Sequence, residues 1–336
     1  MKAWQLDKGA TSLDALHLVE AEKPEPAPGE VLIRVRACSL NYRDQLIPLG
    51  QYMGGAVDRD ITPLSDGAGE VAAIGAGVTQ YKVGDRVAGT FFQNWVSGPP
   101  HAGVGPALGA PPAKGMLAEY VTLPEHGVVP VAQSLSFEEA ATLPCAGVTA
   151  WNALMEGAPP AGPGRWVAVL GTGGVSLLAL QIAKAAGARV LATSSSDEKL
   201  ARVKAMGADA VINYRTTPDW GAEAFRLTGG IDHVVEVGGQ GTLAQSMAAV
   251  GFGGEIAFIG VLSREGNANP REMMFKAGRL RGIFVGSALM ARRLNAAVDA
   301  CGIRPVVDRV FDFDQAKAAY DYQSSSALFG KVVIRV

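Results

Sequence analysis

Over the first third of the chain, apolar and polar residues alternate in short runs. Residues 30–38 (EVLIRVRAC) interleave branched apolar side chains with Arg34 and Arg36, the pattern of a half-buried strand. Residues 70–78, 84–89 and 118–123 predict further short strands, divided by GAG, VGD and PEH turns. Residues 93–114 form a long Gly- and Pro-rich loop without periodicity, of a kind that often lines a site. From about residue 130 the pattern changes. Apolar runs at 165–170, 189–193, 210–214, 231–237, 255–260 and 281–285 alternate with helical stretches, which predicts an α/β fold with a six-stranded, doubly wound parallel sheet. The helix at 177–186 follows the first run; Ser195 with Glu198 matches a capping box for the next, and Thr217–Pro218 opens a third. The final LFGKVVIRV reads as a strand returning to the first domain.

Composition narrows the class. Of 336 residues, 48% are hydrophobic and 18% charged, ample for a packed core, and 30 Lys and Arg against 32 Asp and Glu leave a net charge of −2. Nothing basic enough to follow a nucleic-acid backbone or an anionic membrane stands out. Three scattered cysteines argue against a disulfide framework and for a reducing compartment. No apolar leader or membrane-spanning stretch is apparent, so a cytoplasmic protein is expected.

The strand-to-helix turn at 166–176 carries the clearest chemistry. Gly171, Gly173 and Gly174 let the backbone approach a pyrophosphate, and the helix start supplies unpaired N–H groups. Thr172 and Val175 belong to the same cradle. Ser176 stands where a third glycine would, so looser packing of helix on strand is expected. Ser194 stands at the end of the second strand, where an NAD site wants an acid. Ser194, Ser195 and Lys199 suit a 2′-phosphate instead, which favours NADP(H), although Ser195 alone serves equally as a helix cap.

Together, VLIRVRACSLNYRD, LSDGAGEVAAIGAGVTQYKVGDRV, LPCAGVTAW, VLGTGGVSLLALQIAKAAGARVLAT, MGADAVINY and FGKVVIRV resemble the zinc-free, quinone-oxidoreductase-like branch of the medium-chain dehydrogenase/reductase superfamily, over essentially the whole length. The resemblance implies a GroES-like β-barrel domain, here 1–129 with 303–336, around a Rossmann domain at 130–302. It implies that Lys199 and Tyr214 contact the 2′-phosphate, that Phe284, Val285 and the 258–261 strand end, with Phe258 and Gly260, line the nicotinamide, and that Thr149 and Gly238 belong to the cofactor site. Tyr214 serves equally as a strand-end packing residue.

Zinc-containing relatives hold a catalytic metal at positions that here read Asn41, Ser65, Asp66 and Cys145, and one thiolate does not make a three-ligand site. No metal is expected. Cys145 is then either a small packing residue or a pocket thiol. By the same resemblance Asn41 donates to a substrate carbonyl and Tyr52 is a proton donor. Tyr42 and Arg43 add bulk and charge that point to a polar or anionic substrate, unless Arg43 merely pairs with Asp44. Phe91, Phe92 and Trp95 form either a wall over a planar substrate or core. The expected activity is NADPH-dependent hydride transfer to a quinone or an α,β-unsaturated carbonyl. A metal-free ketone reductase and a slow NADPH-binding regulatory protein are the alternatives. The expected partners are a small-molecule substrate and a second copy of the chain, as a homodimer.

Overall fold

The computed structural model describes every residue except Gly54, Val261 and Arg264. Val261, the last residue of the anticipated 258–261 strand end, therefore lies outside the described residues. Two compact units divide the chain: Met1–Val148 with Gly286–Val336, and Thr149–Val285.

In the first unit the long strand Glu30–Ser39 organises a seven-stranded sheet. Asp66–Ile74, Tyr120–Pro124 and the terminal strand Lys331–Arg335 all pair antiparallel to it. Lys331–Arg335 also pairs parallel to Val307–Asp312. Leu6, Leu16, Ile33, Leu64, Met116, Leu117 and Tyr320 are fully buried and make the centre of its core. The second strand starts four residues earlier than expected, because the glycines of DGAG are strand rather than turn. A side chain at Gly69 would put its Cβ 2.1 Å from the Arg34 carbonyl oxygen, so the close crossing demands glycine there. The turn comes instead after Ile74, where Gly77 adopts φ +82°.

Residues 130–148 and 286–302 were expected with the Rossmann domain, but they pack with the first unit. The Asp299 carboxylate, on helix Ala288–Cys301, accepts from the amides of Gln133 and Ser134, each at 2.9 Å, and Ala288 N donates to Trp95 O at 2.8 Å. The aromatics at the head of the 93–114 segment are packed inside. Phe91, Phe92 and Trp95 are all buried, with Trp95 Nε1 donating to Gly98 O at 2.9 Å.

In the second unit six parallel strands stand in the order Ala210–Asn213, Arg189–Ser194, Trp166–Leu170, Ile231–Glu236, Val250–Phe258, Arg279–Gly282. This is the doubly wound order, with the crevice expected beside the first and fourth strands. The sixth strand ends at Gly282 rather than 285. Val285 has φ +54° and leaves the extended region, and its carbonyl accepts from Asn152 Nδ2 at 2.7 Å. Two helix starts also differ from expectation. Ser196, not Ser195, caps helix Asp197–Ala205 by accepting from Lys199 N at 3.3 Å. The third helix runs Trp220–Thr228 from Asp219, because Thr217 N closes a turn onto Asn213 O at 2.9 Å. Among the described residues no helix is long and apolar enough to cross a membrane.

Candidate active site

Strand Glu30–Ser39 delivers the chain into a one-turn helix, Tyr42–Leu46, and this junction organises a buried polar cluster. Asn41 N donates to Asp44 Oδ2 at 2.7 Å, and Asp44 N donates to Asn41 O at 2.9 Å, so the two residues cap each other. The turn sends Arg43 and Asp44 inward and leaves Tyr42 44% exposed. Arg43 Nη1 donates to Leu108 O at 2.8 Å and stands 3.6 Å from Asp44 Oδ1. Its guanidinium lies 4.7 Å from the ring centre of Tyr52 and 4.9 Å from that of Phe91. Its pairing with Asp44 is the anticipated local ion pair, and its Nε and Nη2 have no hydrogen-bond partner among the described residues. Burial works against the charge of Arg43, but Asp44 and then Tyr52 outweigh it and hold its pKa above the ordinary value. Burial also pushes the Asp44 carboxyl up to about 6, against the opposing pull of Arg43.

On the other side of Asn41, Lys331 from the terminal strand is 4% exposed. Its Nζ donates to Asn41 Oδ1 at 2.6 Å and to the Leu40 carbonyl. Ser65 Oγ donates to Asp66 Oδ1 at 2.7 Å, and Cys145 N donates to Asp66 Oδ2 at 3.2 Å. Burial raises the pKa of Asp66, with Lys331 the strongest opposing influence. Burial, reinforced by Asp66, also raises the Cys145 thiol, which leaves it protonated and poorly nucleophilic at neutral pH.

The sequence pattern missed Lys331. The one available signal was a lone cation opening the otherwise apolar run KVVI. The cluster joins Asn41, Arg43 and Tyr52, whereas Tyr42 lies outside it.

These groups do not fit a catalytic zinc. Asn41 offers its oxygen to an ammonium, and Ser65 and Asp66 bond each other. Among the described residues no three His, Cys, Asp or Glu side chains converge on a metal position.

In the second unit, Trp166–Leu170 ends in a turn where Gly171 has φ +74°. A Cβ at Gly171 or Gly173 would meet nothing within 4 Å, so space is open above this backbone. Gly173 precedes helix Gly174–Ala185 without a side-chain cap, which leaves first-turn N–H groups for an anion. Thr172 is buried within the turn and Val175 is half-buried. Ser176 is buried and its Oγ donates back to Leu170 O at 2.6 Å, so it fastens helix to strand. This arrangement fits a dinucleotide pyrophosphate.

At the second strand's end Ser194 is buried and its Oγ accepts from Ser196 N at 3.3 Å. The nearby acid, Asp197, is engaged by Asn213 Nδ2 at 2.7 Å, and Tyr214 is 42% exposed. The Gly238–Gly239 loop is shaped by a residue the sequence did not single out. The buried Glu236 carboxylate accepts from the amides of Gly238 and Gly239 at 2.8 and 2.9 Å, from Thr242 Oγ1 at 2.6 Å and from Ser246 Oγ. Gly260 passes so near that its Cβ would lie 2.2 Å from Gly239 N. Phe258 ends its strand half-buried, Phe284 is 49% exposed, and Thr149 and Val285 are buried.

The sequence model described as an alcohol dehydrogenase GroES-like domain matches residues 27–133, and that described as a zinc-binding dehydrogenase matches 174–301. A zinc-type alcohol dehydrogenase-like protein of Schizosaccharomyces pombe is 45% identical over 97% of this chain and 96% of its own length. The 2-methylene-furan-3-one reductase of Solanum lycopersicum is 32% identical over 99% of this chain and 79% of its own. A crystal structure described as a putative alcohol dehydrogenase from Sinorhizobium meliloti 1021 superposes with a TM-score of 0.89 at 40% identity, covering both chains in full. The chain belongs to the medium-chain dehydrogenase/reductase superfamily and is an NAD(P)-dependent oxidoreductase of its alcohol dehydrogenase- and quinone reductase-like kind.

Proposed function

We propose that the protein is a zinc-independent, NADPH-dependent reductase of α,β-unsaturated carbonyls, and of quinones by the same chemistry. The observation that carries this reading is the donor set at positions 41, 65, 66 and 145, which closes on itself through hydrogen bonds and an ammonium. Alcohol oxidation without a Lewis acid lacks a means to stabilise an alkoxide, whereas conjugate reduction needs only a hydrogen bond to the carbonyl and a proton. The reduced nicotinamide, when bound, supplies the hydride. The hydride bonds to the β-carbon, the alkene pair shifts toward oxygen as an enolate, and one proton at the α-carbon completes the saturated carbonyl. Asn41 donates to the carbonyl oxygen, and the Tyr52 hydroxyl, beside the Arg43 guanidinium, is the assigned proton source.

NADP(H) is favoured over NAD(H) by the lack of an acid at Ser194, by the diversion of Asp197 to Asn213, and by Lys199 and Tyr214 alongside. Ser194, Ser195, Lys199 and Tyr214 are assigned to the 2′-phosphate. Gly171, Thr172, Gly173, Gly174 and Val175 are assigned to the pyrophosphate, and Thr149, Gly238, Phe258, Gly260, Phe284 and Val285 to the nicotinamide half. The edge strand Arg279–Gly282 carries the half-exposed Leu280 and suits pairing with a second copy, so the active form is assigned as a homodimer.

NADPH oxidation is followed with 2-cyclohexen-1-one, 1,4-benzoquinone and cyclohexanone, and NADPH and NADH affinities are compared by fluorescence. Turnover of enone or quinone with tighter NADPH binding is expected. Turnover of cyclohexanone alone would overturn the substrate class, and tighter NADH binding would overturn the cofactor assignment.

A further inference from the structure

We infer that Lys331 is the positioning residue of this site: its ammonium grips the Asn41 side-chain oxygen, turns the amide N–H groups toward the substrate carbonyl, and supplies from the chain itself the positive charge that zinc-bearing relatives take from a metal. The inference rests on the enone-reductase reading above and deepens it.

An asparagine amide can present either end, and which one faces a substrate depends on its surroundings. Here the choice is settled by an ammonium 2.6 Å from Oδ1, because an ammonium only donates. Lys331 is itself held by the Leu40 carbonyl, and it emerges from a strand locked in register, with Val333 opposite Ser39 and Ile334 opposite Cys38. The oxygen end of Asn41 is therefore committed. The nitrogen end is not: Asn41 is 8% exposed, yet Nδ2 makes no hydrogen bond among the described residues. The nearby Asp66 carboxylate feels the Asn41 side chain, which helps to hold its pKa down against burial. A buried donor without a partner costs stability, which makes this end the place for a ligand acceptor.

The surrounding charges support the same role. Lys331 and Arg43 face Asp44 and Asp66, so the cluster is close to neutral with both acids ionised. An enolate oxygen forming at Nδ2 would add negative charge next to a cation one hydrogen bond away. That interaction is stronger in the transition state than in the neutral ground state, so it raises kcat rather than lowering KM.

Lys331→Met, Asn41→Ala, Asn41→Asp and the Lys331→Met/Asn41→Ala double variant are assayed with NADPH and 2-cyclohexen-1-one. Side-chain amides of [15N]asparagine-labelled protein are followed by NMR. Lys331→Met should lower kcat about 10²-fold, with KM for the enone changed less than about threefold and NADPH affinity unchanged. In the Asn41→Ala background the same change should lower kcat by less than about threefold further, since the lysine acts through the asparagine. Asn41→Asp keeps the oxygen that Lys331 grips and removes the donor, so it should lose activity as Asn41→Ala does even if Lys331→Met fails to fold. The Asn41 amide resonances should move in Lys331→Met. Full activity of Asn41→Asp, or additive losses in the double variant, would overturn the inference. If the wild type turns over neither enone nor quinone, the reductase reading fails, and an unmoved Asn41 resonance in Lys331→Met would separately overturn the positioning role.

Discussion

Ser176 replaces the third glycine of the dinucleotide turn, and the structure turns that departure into a quantity. Its hydroxyl donates to Leu170 O at 2.6 Å in a buried setting, at the third position of helix Gly174–Ala185. Deleting a buried neutral hydrogen bond and stranding the carbonyl costs about 1.5 kcal/mol. Alanine returns about 0.5 kcal/mol through helix propensity, so Ser176→Ala should destabilise the turn by about 1 kcal/mol. Ser176→Gly loses the same bond and about 0.5 kcal/mol more in backbone entropy, for a total of about 2 kcal/mol. The motif-restoring glycine should thus be the worse of the two. Hydrogen exchange of amides 174–185, read by mass spectrometry, reports the opening free energy of this helix directly. NADPH affinity should stay within about twofold in Ser176→Ala, because the hydroxyl donates back to the strand. A glycine variant as protected as wild type would show that the hydroxyl contributes nothing. A tenfold loss of NADPH affinity in the alanine variant would show that it serves the cofactor instead.

Three further outcomes follow from the same physical reasoning. The Asp44 carboxyl is raised to about 6 in the fold, so the native state holds its proton longer than the unfolded chain and stability should fall as pH rises from about 4 to about 6; Asp44→Asn should flatten that slope in urea titrations, leaving the part due to Asp66, and an unchanged slope would refute the assignment. His233, 3% exposed with both ring nitrogens lacking hydrogen-bond partners among the described residues, has its pKa lowered mainly by burial. Its contribution is lost as pH falls below the ordinary histidine value, so His233→Leu should hold stability below about pH 6.5 better than wild type. Tyr42→Ala should leave kcat for 2-cyclohexen-1-one within about twofold while Tyr52→Phe lowers it at least about tenfold, since Tyr42 points to solvent and Tyr52 stacks on Arg43; equal losses would move the proton donor elsewhere.

Much of the architecture was legible because it rests on local patterns. Five of the six parallel strands occupy the expected apolar runs, whereas the sixth, Arg279–Gly282, is polar and begins ahead of its expected run, and the turn at 171–174 needs glycine for reasons visible in one segment. Errors arose where a local signal has two causes. The glycines of DGAG read as a turn, but Gly69 is required by the passing Arg34 carbonyl, a contact between distant segments. Ser195 matched the capping pattern with Glu198, but the hydroxyl of the next residue, Ser196, is the one that accepts from Lys199 N. The boundary of the second unit was misplaced because helix Ala288–Cys301 follows a strand in sequence yet is tied through Asp299 to residues 133 and 134. At the site, Asn41 and Arg43 were legible from one short motif, whereas Lys331 was not. Its role depends on strand pairing across almost the whole chain, and no periodicity encodes which lysine of a surface-rich class ends up inside.

That same pairing bears on how the protein comes into being. Asn41 and Lys331 are separated by 290 positions, and the strand that bears the lysine must dock between two others before its ammonium reaches the amide. Contacts this distant in sequence close late, after the loop entropy of the intervening chain has been overcome. A nascent polypeptide can therefore complete its glycine turn while the Asn41–Lys331 contact is still unmade. The Asn41–Lys331 contact forms only after residue 331 has been made and its strand has docked.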